Sequence, residues 1–427
     1  MHKINGFLFT KSKKTIQMQE NLFARALNLE HPFYVKEINF DQEAKRLDIL
    51  IDFKRGSVFL YNKGNTNESC KAFYTKEKQW RHLNFFEHEC YLNVRVPRVK
   101  LPNGKVKLLS MPWEGQNSGF TLLFEALILQ LCKAMPVNQV GKLINESDDK
   151  IWRMLDKYIN TAREFEDFSD LVSIGVDETS KKKYHDYITL FVDLEKRKTI
   201  YITEGKSNKT VKEFVKDLKQ HNGNTENIKD VSCDMSPAFI KGVRENLPNA
   251  EITFDKFHIL KIINDAVDKV RREEAKEFDL LKNTRYIFLK NYNNLTKVQS
   301  QKLTELSMSK LNLKSLRALH IRENFQEIYN AVNKEDFEKL LKKWYFWATH
   351  SRLEPIKQAA YTIKRHWCGV LKWFESKINN GILEGLNSII QACKAKARGY
   401  KTTKNFKIIA YLVTGDLKFE QINTNIK

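Results

Sequence analysis

The chain has 427 residues, too many for one ordinary domain, and 42% of them are hydrophobic, which excludes wholesale disorder. Its 73 Lys and Arg against 52 Asp and Glu leave a net charge of +21. Such an excess favours a polyanionic partner, because each phosphate neutralised releases a counterion. No apolar run has the length of a membrane span or the form of a signal peptide, and the six cysteines contain no CxxC pair. A membrane protein, a disulfide framework and a paired-cysteine zinc site are thereby disfavoured, and a reduced, cytoplasmic protein is expected.

Residues 1–115 read as a small β-rich region. LDILIDF, YLNVRV before Pro97 and KVKLLSM before Pro112 have the alternating or continuous apolar pattern of strands, with WRHLNFF (80–86) between them. Residues 116–168 turn helical. FTLLFEALILQLCKAM halts at Met135-Pro136, VNQVGKLIN is short, and Ser147 with Asp148 and Asp149 caps KIWRMLDKYINTAREF. That outline fits a helix-turn-helix whose last helix, bearing Lys150 and Arg153, enters a DNA groove; an ordinary helical hairpin has the same outline.

From residue 169 the pattern becomes α/β. LVSIGVDETS, DYITLFVDLEKRK and TIYITEGKS are strands, KTVKEFVKDLKQH is an amphipathic helix, and IKDVSCDMSPAF and AEITFDKFHIL supply two further strands. A mixed sheet over 169–260 and 376–427 is expected, interrupted by an all-helical insertion over 261–375. In that insertion Trp347, Trp367 and Trp373 read as core. A turn at Asn379-Asn380-Gly381 precedes a helix that carries Glu384.

Asp177 and Asp234 each follow an apolar strand, VSIGVD and VSCD, where a carboxylate emerges at the sheet edge used by ligands of α/β proteins. With a third acid from a helix they would form an oxygen-rich site suited to Mg²⁺. Two such ions roughly 3.5–4 Å apart could drive in-line attack on a phosphodiester. Structural roles remain open for each acid: Asp177 capping a turn, Asp234 capping the segment after Ser236-Pro237, Glu384 favoured by the helix dipole.

SIGVDETSKKKYHDYITLF, VSCDMSPAFIKGV, ITFDKFHILKIINDAVDKVRREE and NNGILEGLNSIIQACKAKARGYK resemble the core of the ISL3 family of bacterial insertion-sequence transposases. WRHLNFF, VRVPRVK, MPWEGQNSGFTLLFEALIL and LKNTRYIFLKN extend the likeness over nearly the whole chain. The resemblance implies a ribonuclease-H-like catalytic domain with a metal-binding triad at Asp177, Asp234 and Glu384, holding two Mg²⁺ or Mn²⁺ ions. It implies strand cleavage and strand transfer on double-stranded DNA, at terminal inverted repeats and at a target. At least a homodimer in the DNA complex is expected. The alternative is a catalytically inactive descendant that only binds DNA.

Asp255-Lys256-Phe257-His258 resembles a D-x-x-H signature of related transposases, which makes His258 a candidate DNA contact or site support. Lys394, Lys396, Arg398 and Lys401, on and after the Glu384 helix, are candidates for DNA phosphates. The family's N-terminal CxxC pairs are absent here. The spacing of Cys70, His82, His88 and Cys90 matches no zinc site, so zinc is not expected.

Overall fold

The computed structural model of the protein describes residues 22–63, 66–101, 104–116, 118–182, 186–309, 311–376 and 381–419. The N-terminal stretch, Pro102-Asn103 and the Asn379-Asn380 turn lie outside the described residues. The chain forms two compact units, Met1–Arg163 with Leu417–Lys427, and Glu164–Asp416.

The first unit holds a mixed sheet of β1 (Phe33–Asp41), β2 (Arg46–Phe53), β3 (Val58–Lys63), β4 (Thr66–Phe85), β5 (His88–Lys100) and β6 (Val106–Leu108), in the order β1-β2-β5-β4-β3 with β6 on β5. Period-two burial sets the register: Cys90, Leu92, Val94 and Val96 face the core and Tyr91, Asn93 and Arg95 do not. WRHLNFF, which the sequence reading placed between strand segments without assigning it a structure, is itself strand as far as Phe85. It largely completes the long strand β4, with Trp80 2% exposed and in the core.

Three helices follow: α1 (Leu122–Ala134), α2 (Val137–Ile144) and α3 (Asp148–Glu164). The Thr121 hydroxyl caps α1, Pro136 stands at the start of α2, and Asn145 takes the left-handed conformation that ends it. A fully buried carboxylate, Glu125, ties α1 to α3 and to the segment before α1. It accepts from the Gln116 amide at 3.0 Å, from Tyr158 Oη at 2.5 Å, and from the Ser118 hydroxyl.

The second unit is built on a sheet ordered β11-β10-β7-β8-β9, from β7 (Ser173–Lys182), β8 (Asp186–Asp193), β9 (Lys198–Glu204), β10 (Asp230–Cys233) and β11 (Glu251–Phe254). β7, β8 and β9 form an antiparallel meander, whereas β10 runs parallel to both β7 and β11. Helices α4 (Lys209–Gln220) and α5 (Pro237–Asn246) connect the later strands. Phe191 and Phe214 stack at 4.4 Å where α4 covers the meander.

Among the described residues, seven α-helices come between β11 and the last part of the unit: α6 (Lys256–Glu274), α7 (Arg285–Leu289), α8 (Lys297–Met308), α9 (Lys314–Ile328), α10 (Lys334–Thr349), α11 (Glu354–Arg365) and α12 (Trp367–Ser376). Among their buried charges, Glu274 and Arg322 link distant segments. Glu274 accepts from the Lys314 and Ser315 amides, both at 2.7 Å, and so caps α9 from a distance. Arg322 donates to Asn264 Oδ1 at 2.7 Å and to the Leu289 and Lys290 carbonyls at 2.9 and 3.2 Å. The tryptophan at the centre is Trp344, 1% exposed, whereas Trp347, read as core, is 42% exposed. Spacings of three and four from Leu341 through Trp344 to Ala348 keep the buried stripe on one face, and Trp347 lies off that face.

Sheet and helices share one hydrophobic cluster, in which Ile174, Val231 and Phe254 are continuous with Phe325, Phe337 and Trp344. α12 returns to the strand where the excursion began: a Cβ on Gly369 would lie 2.4 Å from the Phe254 ring, so only glycine permits this seat. The unit ends with α13 (Gly381–Lys396) and α14 (Thr403–Thr414).

Candidate active site

Strand register places the acids. In the parallel pairing, Val176 stands opposite Cys233 and Cys233 opposite Phe254. The next residue on each strand is an aspartate: Asp177, Asp234 and Asp255. Neighbouring strands lie about 4.8 Å apart, so the backbone alone sets three carboxyl-bearing positions in a row across the sheet. The sequence reading ended the first strand at Asp177. In the structure β7 runs on to Lys182 because β8 keeps pairing with it, Asp177 opposite Leu190, after β10 has stopped.

Each side chain has its own surroundings. Asp177 Oδ1 accepts from the Glu178 amide at 2.8 Å and Oδ2 from the Asn387 side chain. Burial raises its pKa to about 6, helped by Asp234 and opposed by the Glu178 amide, His258 and Asn387. Asp234 Oδ1 accepts from the Ser236 amide at 3.0 Å, in the turn before α5. Asp255 is 1% exposed, and neither carboxylate oxygen has a hydrogen-bond partner of good geometry among the described residues. Burial pushes its pKa up; the Phe257 amide and His258 oppose that, and Glu384 reinforces it. His258, half-buried on the first turn of α6, thus acts on both Asp177 and Asp255.

Glu384 lies in the first turn of α13, exposed, and its electrostatic neighbour in the row is Asp255. One face of α13 lies along β7. Leu383 packs where Gly175 has no side chain, Asn387 reaches Asp177, and Gln391 Nε2 donates to Thr179 Oγ1 at 2.6 Å. Lys394 Nζ donates to the Ser180 carbonyl at 2.5 Å. Among the described residues no three His, Cys, Asp or Glu side chains stand close enough to form a ready-made metal cage.

The sequence reading passed over Asn387 and gave Asp255 no share in the triad. Asp255 carried the same signal as its neighbours, an acid directly after an apolar strand. Asn387 carried none, because its role depends on which face of α13 meets the sheet.

The basic candidates divide into two groups. Lys396, Arg398 and Lys401 are exposed, as is Arg153, whose Nε donates to the Asp149 carbonyl at 3.2 Å. Lys394 is held by Ser180, and Lys150 pairs with Glu146 at 3.0 Å while lying 4.1 Å from the Phe120 ring centre. Cys70 and Cys90 are buried in separate clusters, and burial pushes the Cys90 thiol up to about 12. His82 Nδ1 meets Thr121 Oγ1 at 2.8 Å, and burial lowers its pKa to about 4. No described helix is long and apolar enough to cross a membrane.

A family model described as a transposase, of the DDE type in ISL3, matches residues 174–410. A second, the helix-turn-helix domain of transposase family ISL3, matches residues 109–159. The chain is 25% identical over 371 residues to the transposase for insertion sequence element IS1557 of Mycobacterium tuberculosis, covering 78% of this chain and 81% of that protein. It is 27% identical over 344 residues to the transposase for insertion sequence element IS1001 of Bordetella parapertussis, covering 78% of this chain and 83% of that one.

Proposed function

The chain belongs to the ISL3 family of transposases, and from that premise we propose that it cuts and joins the DNA ends of an insertion sequence through Asp177, Asp234 and Glu384. The observation that carries this reading is the register that aligns Asp177 with Asp234, one residue past the last parallel pair, beside the helix bearing Glu384. The strand order, an antiparallel meander followed by two parallel strands, supports a ribonuclease-H-like sheet. The helices between β11 and α13 are then its insertion.

The acid row fits divalent cations. Asp177, Glu178 and Asp255 all have raised pKa values, with burial the largest cause. Unpaired carboxylates are costly to bury, and a bound cation offsets that cost. Asp177 and Asp234 would hold Mg²⁺ or Mn²⁺ from the sheet and Glu384 from the helix. A bound pair of ions would activate the attacking hydroxyl and stabilise the leaving oxygen of an in-line phosphodiester exchange. Asn387 fixes the Asp177 carboxylate by donating to Oδ2, and His258 offsets the negative charge between Asp177 and Asp255.

DNA would be gripped at Arg153 on α3 of the helix-turn-helix, at Lys396 at the end of α13, and at Arg398 and Lys401 beyond it. Lys150 and Lys394, engaged within the protein, orient those elements instead. Terminal inverted repeats are the proposed substrate, and joining two ends calls for at least two copies in the complex.

The test is cleavage of DNA carrying an element end, in Mg²⁺, by wild type and by Asp177→Asn, Asp234→Asn and Glu384→Gln. Cutting should require the metal and fall to background in each variant, with end binding retained. Cutting that survives Glu384→Gln would sink the mechanism. Wild-type binding without any cutting would identify a DNA-binding descendant.

A further inference from the structure

A cavity of about 860 Å³ opens in the second unit, and its lining starts beside the acid row in sequence: Lys256 and Phe257 follow Asp255 directly. Its volume lies within the ordinary range for small-molecule sites. α6, α9, α12 and the short turn at Tyr292–Asn294 supply the walls.

The lining is unusual for a helical core. Two large aromatic side chains, Phe257 and Tyr292, are 52% and 62% exposed on it, and Trp373 forms a further wall. Carboxamides lie between them. Gln326 Nε2 donates to Asn291 Oδ1 at 2.8 Å, and Arg322 donates to the same oxygen at 3.0 Å. Asn330 Nδ2 donates to Glu327 at 2.8 Å. The amide donors of Gln326 and Asn330 are thus engaged, while their carbonyl oxygens have no partner among the described residues. Glu323 and Glu327 add further acceptors.

Aromatic faces suit a nucleobase, because every base has a π-face to stack on. An acceptor-rich rim suits the exocyclic amino groups of adenine, cytosine and guanine. Glu323 and Glu327 disfavour a phosphate, and Lys256, which also lines the cavity, is held over the Tyr329 ring at 4.4 Å. We propose that this cavity receives one amino-bearing nucleobase extruded from the DNA at the cleaved end, stacked on Phe257 or Tyr292 and held by Gln326 and Asn330. The extruded nucleotide would hold the strand while the adjoining phosphodiester lies at the acid row. The inference rests on the proposed cutting activity, so its test is arranged to report separately.

In Ca²⁺, 5-iodocytosine is scanned through an element end and its flank, complexed with full-length Glu384→Gln protein, irradiated, and the crosslinked peptide mapped. One position should crosslink to Phe257, Tyr292 or Trp373. Phe257→Ala and Tyr292→Leu should each weaken end binding roughly tenfold, as expected for loss of one base–aromatic stack. Both rings are more than half exposed, so neither substitution threatens the fold. An abasic nucleotide at the crosslinking position should bring wild type and variants to equal affinity. Crosslinks at none of the three residues, or losses that persist on abasic DNA, would overturn the proposal. Wild-type cleavage in Mg²⁺ against Glu384→Gln reports on the cutting activity independently. If cutting holds and the crosslink fails, only the pocket falls; if the crosslink forms without cutting, only the mechanism falls.

Discussion

Gly175 offers the sharpest handle on the site, because its missing side chain is where the helix bearing Glu384 rests. An alanine Cβ there would lie 2.8 and 2.9 Å from the two Leu383 methyls and 3.0 Å from Leu194 Cδ2. Leu383 is 1% exposed and enclosed by Val192 and Leu194, so it cannot swing into solvent. Overpacking of this kind costs about 1–3 kcal/mol, and replacing a strand glycine returns roughly 0.5–1. A net loss of about 1–2 kcal/mol is expected for Gly175→Ala by urea denaturation of the full chain. The activity loss should be larger. Leu383 precedes Glu384, and displacing a reacting group by about 1 Å can cost about a hundredfold in rate. Leu383→Val, which shortens the offending side chain, should restore part of both losses in the double variant. Gly385→Ala is the control with the opposite sign: nothing lies within 4 Å of its Cβ, and alanine inside a helix gains up to about 1 kcal/mol. A Gly175→Ala protein as stable and active as wild type, or a double variant with no recovery, would refute the packing argument.

Three further outcomes follow from buried charges. Burial raises the Glu125 pKa, so the folded state binds its proton more tightly than the unfolded chain does. Its contribution is therefore most favourable below the ordinary glutamate pKa and declines as pH rises through the folded value. Hydrogen exchange in α1 and α3 across that window should show the decline, and Glu125→Gln should remove it. Glu274→Ala strips two amides and a hydroxyl at the start of α9 of their acceptor, a loss of about 2–4 kcal/mol measurable by denaturation. Arg322→Leu leaves the Leu289 and Lys290 carbonyls without this donor and releases Asn291. About 3 kcal/mol of stability should go with it, together with a fall in affinity for the 5-iodocytosine end if Asn291 keeps Gln326 oriented.

Much of this was legible in the sequence because it rests on local pattern. Asp177 and Asp234 stood out as acids closing apolar runs, and three-and-four spacing marked the helices after His258. The ordered strings around GVDETS, CDMSPAF and ILEGLNS pointed to the transposase family that the comparisons bear out. What was hidden depends on pairing between distant segments. Nothing local says that β7 outlasts β10, that Asp255 aligns with the other two aspartates, or that Asn387 rather than Glu384 is the α13 residue touching Asp177. The basic residues were legible as charges, but their partners were not: Lys150 has Glu146 and Lys394 has Ser180.

The hydrophobic cluster shared by sheet and helices has a consequence for cooperativity. With Phe254 and Trp344 in one continuous core, the excursion between β11 and α13 is no detachable appendage, and the second unit should melt in a single transition. The acid row then inherits its thermal ceiling from helices that contribute none of its three aspartates. Excising them would leave an uncovered core rather than a minimal enzyme, and a cavity-forming change at Trp344 would loosen the aspartates as surely as one beneath β7.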